Sequence, residues 1–202
     1  MRYIRSFRDY LIMTSEKKLI SEHAKLVFEG ELVKVHQWEQ EMFDGSKAIF
    51  EKVWRPDSVE VIAVVGDKVI IIEQEQPFKG RFMSFPGGRV DDGEAALDAA
   101  RRELLEETGY VSGDISLWEE VQDSGIVLWK RSLFIARDCR KIHDGTPDVG
   151  EKIRLKFIDF DELLMLSEDR PFRTKCELRE MLYFFRLYEK EREEFKEILF
   201  GK

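Results

Sequence analysis

The chain has 202 residues, 43% of them hydrophobic and 37% charged, which suits one folded domain, with or without a small appendage, and argues against a disordered chain. The formal net charge is −8, from 33 Lys and Arg against 41 Asp and Glu, so we expect no nucleic-acid partner, although metal ions can still bring an anionic substrate to carboxylates. Two cysteines without a CxxC pair make a disulfide framework or a structural zinc site improbable.

The N-terminal segment, residues 1–18, has charges scattered among its apolar residues, unlike a signal peptide. No run approaches the roughly 18 apolar residues of a membrane span. We therefore expect a cytoplasmic protein with no membrane partner.

Strands dominate the predicted elements. A short, charged lead-in at residues 1–25 comes first. Runs rich in Val, Ile, Leu and Phe then predict the strands, which are residues 26–35, 47–54, 59–65, 69–73, 115–121, 127–136 and 152–158. Asp44-Gly45 marks a turn, and residues 66–68 predict a tight hairpin. Residues 77–88, rich in Pro and Gly, and residues 138–150 predict irregular loops.

Two helical regions are predicted. Residues 94–108 form a helix that stops at Gly109. The tail is helical after a capping box of Thr174 and Glu177, with an apolar stripe along one side. The charged run at residues 189–197 is read as the solvated face of that helix, with recruitment of a partner as the alternative.

Acidic residues cluster on the first helix. At about 100° per residue, Glu103, Glu106 and Glu107 lie within roughly a quarter turn, beside the stripe that faces the core. Such oxygen-rich clusters suit Mg²⁺ or Mn²⁺, which carry substrate phosphates. Arg102 lies four residues before Glu106 and can hold its orientation. The alternative is a solvated helix with ordinary ion pairs.

This segment resembles the Nudix box, a Gly, five residues, Glu, seven residues, Arg-Glu-aliphatic, one residue, Glu-Glu, one residue, Gly and an aliphatic residue. The matching positions are Gly88, Glu94, Arg102, Glu103, Leu104, Glu106, Glu107 and Gly109, with Tyr110 replacing the final aliphatic residue. The resemblance implies an α/β fold, a mixed-sheet α/β/α sandwich, and a pyrophosphatase that hydrolyses a nucleoside diphosphate linked to another group.

The resemblance also implies a role for each box residue. Glu103, Glu107 and the carbonyl of Gly87 would bind Mg²⁺, or Mn²⁺, with Glu106 as a further ligand or as the residue that orients the water. Arg102 would orient the glutamates, Glu94 would support the loop and helix, and Gly88 and Gly109 would be structural.

Residues 26–170 resemble the ADP-ribose pyrophosphatase subgroup. The shared layout is an N-terminal antiparallel sheet, a Gln-containing strand at residues 71–74 and a loop that ends at Gly88. It implies an N-terminal lead-in and dimerising sheet at residues 1–57, a Nudix core at 58–170 and a C-terminal helix packed on that core at 171–202. The implied assembly is a homodimer.

Three positions depart from the subgroup's pattern. Gln76 replaces an Arg that meets the substrate, Ser84 replaces a Glu, and residues 122–126 lack a Pro. Gln76 remains a candidate substrate contact. Arg81 is another, as a replacement for the lost Arg, and the alternative is a solvated loop residue.

Glu151 aligns with a subgroup acid that reaches the active site, as general base or metal ligand. Asp148 is the alternative base, and a plain surface acid is the alternative role for Glu151. Trp54 and Arg55 end a strand and are candidates to stack on a base, although such an aromatic residue more often belongs to a core or a dimer interface.

The predicted function is Mg²⁺-dependent hydrolysis of ADP-ribose or a related nucleotide sugar to a nucleoside monophosphate and a phosphorylated product. One alternative is hydrolysis of another dinucleotide, such as NADH or a diadenosine polyphosphate. The other is a non-catalytic Nudix domain that senses a nucleotide.

Overall fold

The protein is described by a computed structural model that covers residues 20–77, 79–123, 125–147, 149–174 and 176–201. Most of the predicted lead-in therefore lies outside the described residues. The chain forms two compact units, which we describe separately. The first is Met1–Pro56 with Val121–Lys130, and the second is Asp57–Glu120 with Arg131–Lys202.

The described residues form strands β1–β11 and helices α1–α4. The strands are β1 Lys25–Glu29, β2 Lys34–Glu41, β3 Lys47–Trp54, β4 Ser58–Val65, β5 Lys68–Gln76, β6 Gly80–Ser84, β7 Tyr110–Val111, β8 Asp114–Asp123, β9 Val127–Arg137, β10 Arg140–Lys141 and β11 Lys152–Ile158. The helices are α1 Ala96–Thr108, α2 Phe160–Met165, α3 Leu178–Leu187 and α4 Glu189–Phe200.

The first unit is an antiparallel sheet of β1, β2 and β3, and the start of β9 pairs with β3 in parallel. The prediction of one strand at residues 26–35 is wrong, because the Gly30 N–H donates to the Val33 carbonyl at 2.9 Å and closes a hairpin within that run. The predicted turn at Asp44-Gly45 is confirmed. Gly45 adopts φ 80°, which favours glycine, before β3 begins.

The second unit has a mixed sheet. Its strands run in the order β9–β4–β5–β11, with β6 paired to β5 and β8 paired to β9. β4 is parallel to β9, whereas β5 is antiparallel to β4, β6 and β11. The predicted hairpin around residues 66–68 is confirmed as β4 and β5.

The prediction of an irregular loop at residues 77–88 is wrong in part, because β6 forms inside it. Pairing with β5 supplies its backbone hydrogen bonds and buries Phe82 and Ser84. Likewise, the short β10 lies within the predicted loop at residues 138–150 and pairs with β7.

Helices cover both faces of this sheet. Val59, Val61 and Ala63 of β4 pack with Ala100 and Leu104 of α1 in one core cluster. Because side chains alternate along a strand, the intervening residues of β4 point to the opposite face. On that side, α2 packs against β5, and the Phe195 ring of α4 lies 5.0 Å from that of Trp118. The predicted mixed-sheet α/β fold is confirmed.

The helical tail divides in two at Tyr188, whose extended backbone (φ −122°, ψ 106°) separates α3 from α4. The predicted capping box at Thr174 is wrong. The Thr174 hydroxyl instead donates to the buried Glu60 carboxylate at 2.8 Å, and α3 has no side-chain cap. A capping box does form at α2, between Asp159 and Glu162.

In the part of the chain that the structure describes, no helix is long and apolar enough to cross a membrane. The cytoplasmic location stays a prediction.

Glu119 is a buried carboxyl group in the second unit that lies near two charged side chains, Arg131 and Glu177. Glu119 is 8% exposed, and neither of its carboxylate oxygens has a hydrogen-bond partner among the described residues. Burial and the nearby Glu177 carboxylate together raise the pKa of Glu119 to about 7, and Arg131 opposes the shift. Arg131 itself donates to Glu177 at 3.1 Å. Glu119 therefore keeps its proton to a higher pH than an ordinary carboxyl group.

We predict that Glu119 makes folding stability fall as pH rises. Between about pH 4.5 and pH 7 the folded state retains a proton that the unfolded state has lost, so ionisation in the fold costs at most roughly 3 kcal/mol at pH 8. Glu119→Gln has nearly the same shape and no charge at any pH. The variant should gain stability over the wild type as pH rises from 5 to 8 in urea unfolding, whereas a pH-independent difference would contradict this reading.

Candidate active site

The loop before α1 and the end of that helix fix where the box residues lie. The helix ends at Gly109, as predicted, with φ 75°, and its N–H donates to the Leu105 carbonyl at 2.8 Å. A side chain at Gly109 would overlap the His143 carbonyl, so the residue 143–145 segment packs directly on the helix end. At the other end, α1 begins at Ala96, two residues later than predicted.

Glu107 joins the helix to the loop. Its side chain is buried, with the residue 6% exposed, and one carboxylate oxygen accepts the Gly87 N–H at 2.7 Å. Gly87 has φ 150°, and a Cβ there would overlap the Val59 carbonyl of β4. The loop is thus held between the sheet and the Glu107 carboxylate, and only glycine fits at that point.

Arg102 contacts three of the box glutamates. It makes two hydrogen bonds of 3.0 Å to Glu94, one of 2.8 Å to Glu103 and one of 3.1 Å to Glu106. A fifth, of 2.9 Å, goes to the Arg89 carbonyl in the loop. These bonds raise the pKa of Arg102, Glu94 contributing first, and the same bonds lower the pKa of Glu94. The guanidinium and the Glu94 carboxylate are therefore both charged.

Gly88 leaves room for the Glu103 side chain. A Cβ at Gly88 would overlap the Glu103 carboxylate, so that carboxylate lies directly against the loop backbone. The absence of a side chain at Gly88 is what lets Glu103 reach this position.

The donors fit a hard divalent cation by their chemistry. Carboxylates of Glu103, Glu106 and Glu107 project from one region of α1, and they are oxygen ligands of the type that Mg²⁺ and Mn²⁺ prefer. They do not form a preassembled cage. Among the described residues, no group of three or more His, Cys, Asp or Glu side chains is arranged to hold a metal ion. Arg102 engages Glu103 and Glu106 instead.

A cavity of about 420 Å³ opens beside Glu107. Its lining is partly apolar and partly polar and consists of Glu107, Thr108, Tyr110, Lys141, Asp144, Gly145, Pro147, Ile153, Leu155 and Phe157. A larger cleft, of about 570 Å³, lies around Glu75, Arg81 and Lys152 and holds none of the box glutamates. The smaller cavity is the candidate site, because the buried carboxylate of Glu107 borders it.

Glu151 lies on the same face of the sheet as this cavity. It precedes β11, and strand alternation directs the side chains of Glu151, Ile153 and Leu155 to one face. Leu155 packs against the core cluster that includes α1. The Glu151 carboxylate accepts a hydrogen bond of 2.6 Å from the Gln76 amide. Asp148, the alternative base, lies outside the described residues.

The other predicted substrate contacts lie elsewhere. Arg81 sits on β6 opposite Glu75, pairs with it at 3.3 Å and has an 89% exposed side chain. Alternation places Glu75 and Arg81 on the opposite face from Gln76, and thus away from Glu151.

Trp54 and Arg55 belong to the first unit and do not stack on each other. The Arg55 guanidinium lies 4.1 Å from the Trp129 ring centroid, and the Lys34 amine lies over Trp54 at 5.6 Å. Trp129 is thus an aromatic partner that sequence reasoning missed. It lies 74 positions further along the chain, so no local pattern pointed to it.

Comparison with known proteins agrees with this geometry. A family model described as the NUDIX domain matches residues 54–179. The chain is 35% identical over 154 residues to the methanol dehydrogenase activator of Bacillus methanolicus, covering 74% of this chain and 83% of that protein. It is 31% identical over 159 residues to the ADP-ribose pyrophosphatase of Bacillus subtilis (strain 168), covering 77% and 85%.

A crystal structure of an ADP compounds hydrolase superposes with a TM-score of 0.67, over 85% of this chain and 94% of that chain. At 23% identity this likeness shows the fold. The chain belongs to the Nudix family, as its box predicts.

We predict that alanine at Gly87 lowers stability, whereas alanine at Gly88 lowers activity. Gly87→Ala meets backbone atoms of β4 at an unfavourable φ, so it should lower the free energy of unfolding by about 1–3 kcal/mol. Gly88→Ala meets only the end of the Glu103 side chain, which can rotate away. That variant should unfold near the wild-type midpoint but lose at least about 10-fold in hydrolysis.

Gly113→Ala is the matched control, because a Cβ there has open space around it. Urea unfolding and hydrolysis of a nucleoside diphosphate compound are the two measurements. A Gly88→Ala enzyme with normal activity would show that the position of Glu103 does not matter.

Proposed function

We propose that this protein hydrolyses the diphosphate bond of ADP-ribose or a related nucleotide sugar in a Mg²⁺-dependent reaction, with Mn²⁺ as a possible substitute. The products are a nucleoside monophosphate and a phosphorylated sugar. The observation that carries the proposal is the hydrogen-bonded arrangement of the box glutamates with Arg102 and Gly87, in which Glu107 borders a cavity. The alternatives are another dinucleotide, such as NADH or a diadenosine polyphosphate, as substrate, and a non-catalytic sensing role.

The box residues would hold the metal. Glu103, Glu106, Glu107 and the Gly87 carbonyl are the proposed ligands, and Arg102 keeps two of these carboxylates on the same side of the helix. When bound, Mg²⁺ neutralises diphosphate charge, polarises phosphorus and lowers the pKa of an attacking water. Glu94 and Gly109 act through the loop and the helix end, respectively, and not on substrate.

Glu151 is the proposed general base, with a further role as metal ligand. A general base must reach the water that it deprotonates. Glu151 approaches from the strand opposite α1, on the same sheet face, which is the geometry that lets a base and the box carboxylates meet one substrate. Asp148 remains the alternative base.

The class of substrate rests on the relatives and on the cavity. One relative is named for ADP-ribose pyrophosphatase activity and covers most of this chain. The cavity beside Glu107 has the volume of a small-molecule site and pairs apolar walls with Lys141 and Asp144. The candidate substrate contacts from the sequence that remain are Arg81, Trp54 and Arg55. The fourth candidate, Gln76, donates to Glu151.

We also propose a homodimer built through the first unit. Large apolar side chains stay exposed on its strands, including Phe28 at 54% and Ile49 at 65%. Several large exposed apolar side chains on one small sheet favour an interaction surface, and a second copy of the same sheet is a self-complementary partner. The boundaries at residues 57 and 170, and the expectation that nucleic acid does not bind, stay predictions.

A substrate panel tests the activity. ADP-ribose, another nucleotide sugar, NADH and a diadenosine polyphosphate would be incubated with Mg²⁺, and the products resolved by chromatography. We expect AMP and ribose 5-phosphate from ADP-ribose as the fastest reaction, and no turnover in excess chelator. Full turnover with chelator would exclude the proposed metal role.

The Glu107→Gln variant tests whether hydrolysis depends on the Nudix box. Gln keeps an oxygen that can accept the Gly87 N–H but lacks the charge, so kcat should fall by at least about 10²-fold with an unchanged fold. Asp98→Asn is the control, since it removes an exposed acid from the same helix. Near-normal kcat in Glu107→Gln at saturating Mg²⁺ would overturn the mechanism, and a panel without any turnover would favour the sensing role.

The dimer is tested by light scattering of the full chain at micromolar concentration. We expect twice the mass of the chain for the wild type and a weaker dimer for Ile49→Glu, because a buried unpaired charge opposes association. Leu117→Glu, at a residue that is 52% exposed in the second unit, is the control. A wild-type monomer under these conditions would rule the proposal out.

A further inference from the structure

Polar side chains form a continuous hydrogen-bonded series across β6, β5 and the start of β11. The Lys79 ammonium donates to the side-chain amide oxygen of Gln76 at 2.5 Å, and the Gln76 side-chain amide nitrogen donates to Gln74 at 2.7 Å and to Glu151 at 2.6 Å. Gln74 in turn donates to the Ser84 hydroxyl at 2.7 Å. Gln74 and Ser84 are both buried. Two of the three positions that depart from the subgroup's pattern, Gln76 and Ser84, are thus joined through Gln74.

The neighbours determine which way each amide points. If the Gln76 amide were turned over, its nitrogen would face the Lys79 ammonium and its oxygen would face the Glu151 carboxylate, which places donor against donor and acceptor against acceptor. Turning over Gln74 would set its nitrogen against that of Gln76. The series therefore has one direction, with every donor pointing away from Lys79 and toward Ser84 or Glu151.

The backbone beneath these side chains is held by regular strand pairing. β11 pairs with β5 without interruption from Lys152 opposite Glu75 to Ile158 opposite Val69. Continuing that register by one residue places Glu151 opposite Gln76. Cross-strand neighbours of this kind are about 5 Å apart, within reach of a direct side-chain hydrogen bond.

The segment before Glu151 provides little packing. Val149 is fully exposed and Gly150 is exposed, so the Glu151 carboxylate lies at the end of an open loop. Ordering an acidic side chain costs conformational entropy. A hydrogen bond from a residue on a regular strand offsets that cost and so helps to fix the Glu151 side chain.

We infer that Gln76 is a positioning residue that holds the Glu151 carboxylate on the active-site face of the sheet, rather than a substrate ligand. This inference rests on the proposed function. Both ends of the Gln76 amide are already engaged, by Lys79 at the oxygen and by Gln74 and Glu151 at the nitrogen. Binding substrate through this amide would break those bonds, whereas holding Glu151 uses them.

The test compares single and double variants of the full chain on the fastest substrate of the panel. Gln76→Leu keeps the size and removes the hydrogen bonds, so kcat should fall by about 10- to 100-fold while KM stays within about twofold. Glu151→Gln should lower kcat by about 10²–10⁴-fold. In the Glu151→Gln background, adding Gln76→Leu should change kcat by less than about twofold, because Gln76 acts through Glu151.

Glu73→Gln is the matched control, on the same strand with its side chain on the opposite face, and it should leave kcat and KM unchanged. Thermal unfolding confirms that each variant folds. If Gln76→Leu does not fold, Gln76→Asn replaces it, because Asn keeps the amide but has a shorter reach. The expected result is again a fall in kcat with KM almost unchanged.

Three outcomes would overturn the inference: a rise in KM with unchanged kcat in Gln76→Leu, additive losses in the double variant, or normal kcat in Gln76→Leu. Each of these outcomes can be measured only if the wild-type protein turns over a substrate of the panel. A wild type that turns over no member of the panel would refute the proposed function itself, so the two failures are distinct.

Discussion

The hydrogen bonds of Arg102 are the interaction on which the rest of the active site depends. The box brings four glutamates onto one helix and the loop before it, and like charges at such spacing repel. Arg102 offsets that repulsion by donating to Glu94, Glu103 and Glu106 at once, and its bond to the Arg89 carbonyl ties the same group to the loop. Lysine has one charged centre without a planar fork, so it cannot make this set of contacts.

The glycine loop completes that arrangement from the other side. Gly87 approaches β4 so closely that no side chain fits, and its N–H meets the buried Glu107 carboxylate. Glu107 is thus held by the backbone, while Glu103 and Glu106 are held by a side chain. Because Glu103 and Glu106 share Arg102, a metal that bound them would compete with the guanidinium, and among the described residues no group of side chains is preassembled to hold one.

In the second unit, the two faces of the sheet carry different sets of polar side chains. The face toward α1 carries Gln74, Gln76 and Glu151, and the opposite face carries Glu60 and Arg131, at the alternate positions of β4 and β9. Alternation along the strands makes this separation sharp, since adjacent residues point to opposite sides. Arg81 shows the consequence, because pairing with Glu75 commits it to the face that holds no box residue.

Local periodicity in the sequence is enough to predict some features of the fold and of the candidate site. Glu103, Glu106 and Glu107 share one side of α1 because they are three and four residues apart, and Gly109 ends that helix because glycine tolerates a positive φ. The hairpin of β4 and β5 likewise follows from two apolar runs around a turn. These features are set by neighbours within a few residues.

Contacts between residues far apart in the sequence could be identified only from the folded structure. Gln76 meets Glu151 across 75 positions, and Arg55 meets Trp129 across 74. The strand β6 forms within a segment rich in Gly and Pro because β5 offers it a partner, and that pairing chooses the face of Arg81. A local pattern carries the period of a helix or strand, but the register between strands depends on the whole chain, and here that register decides which side chains reach the active site.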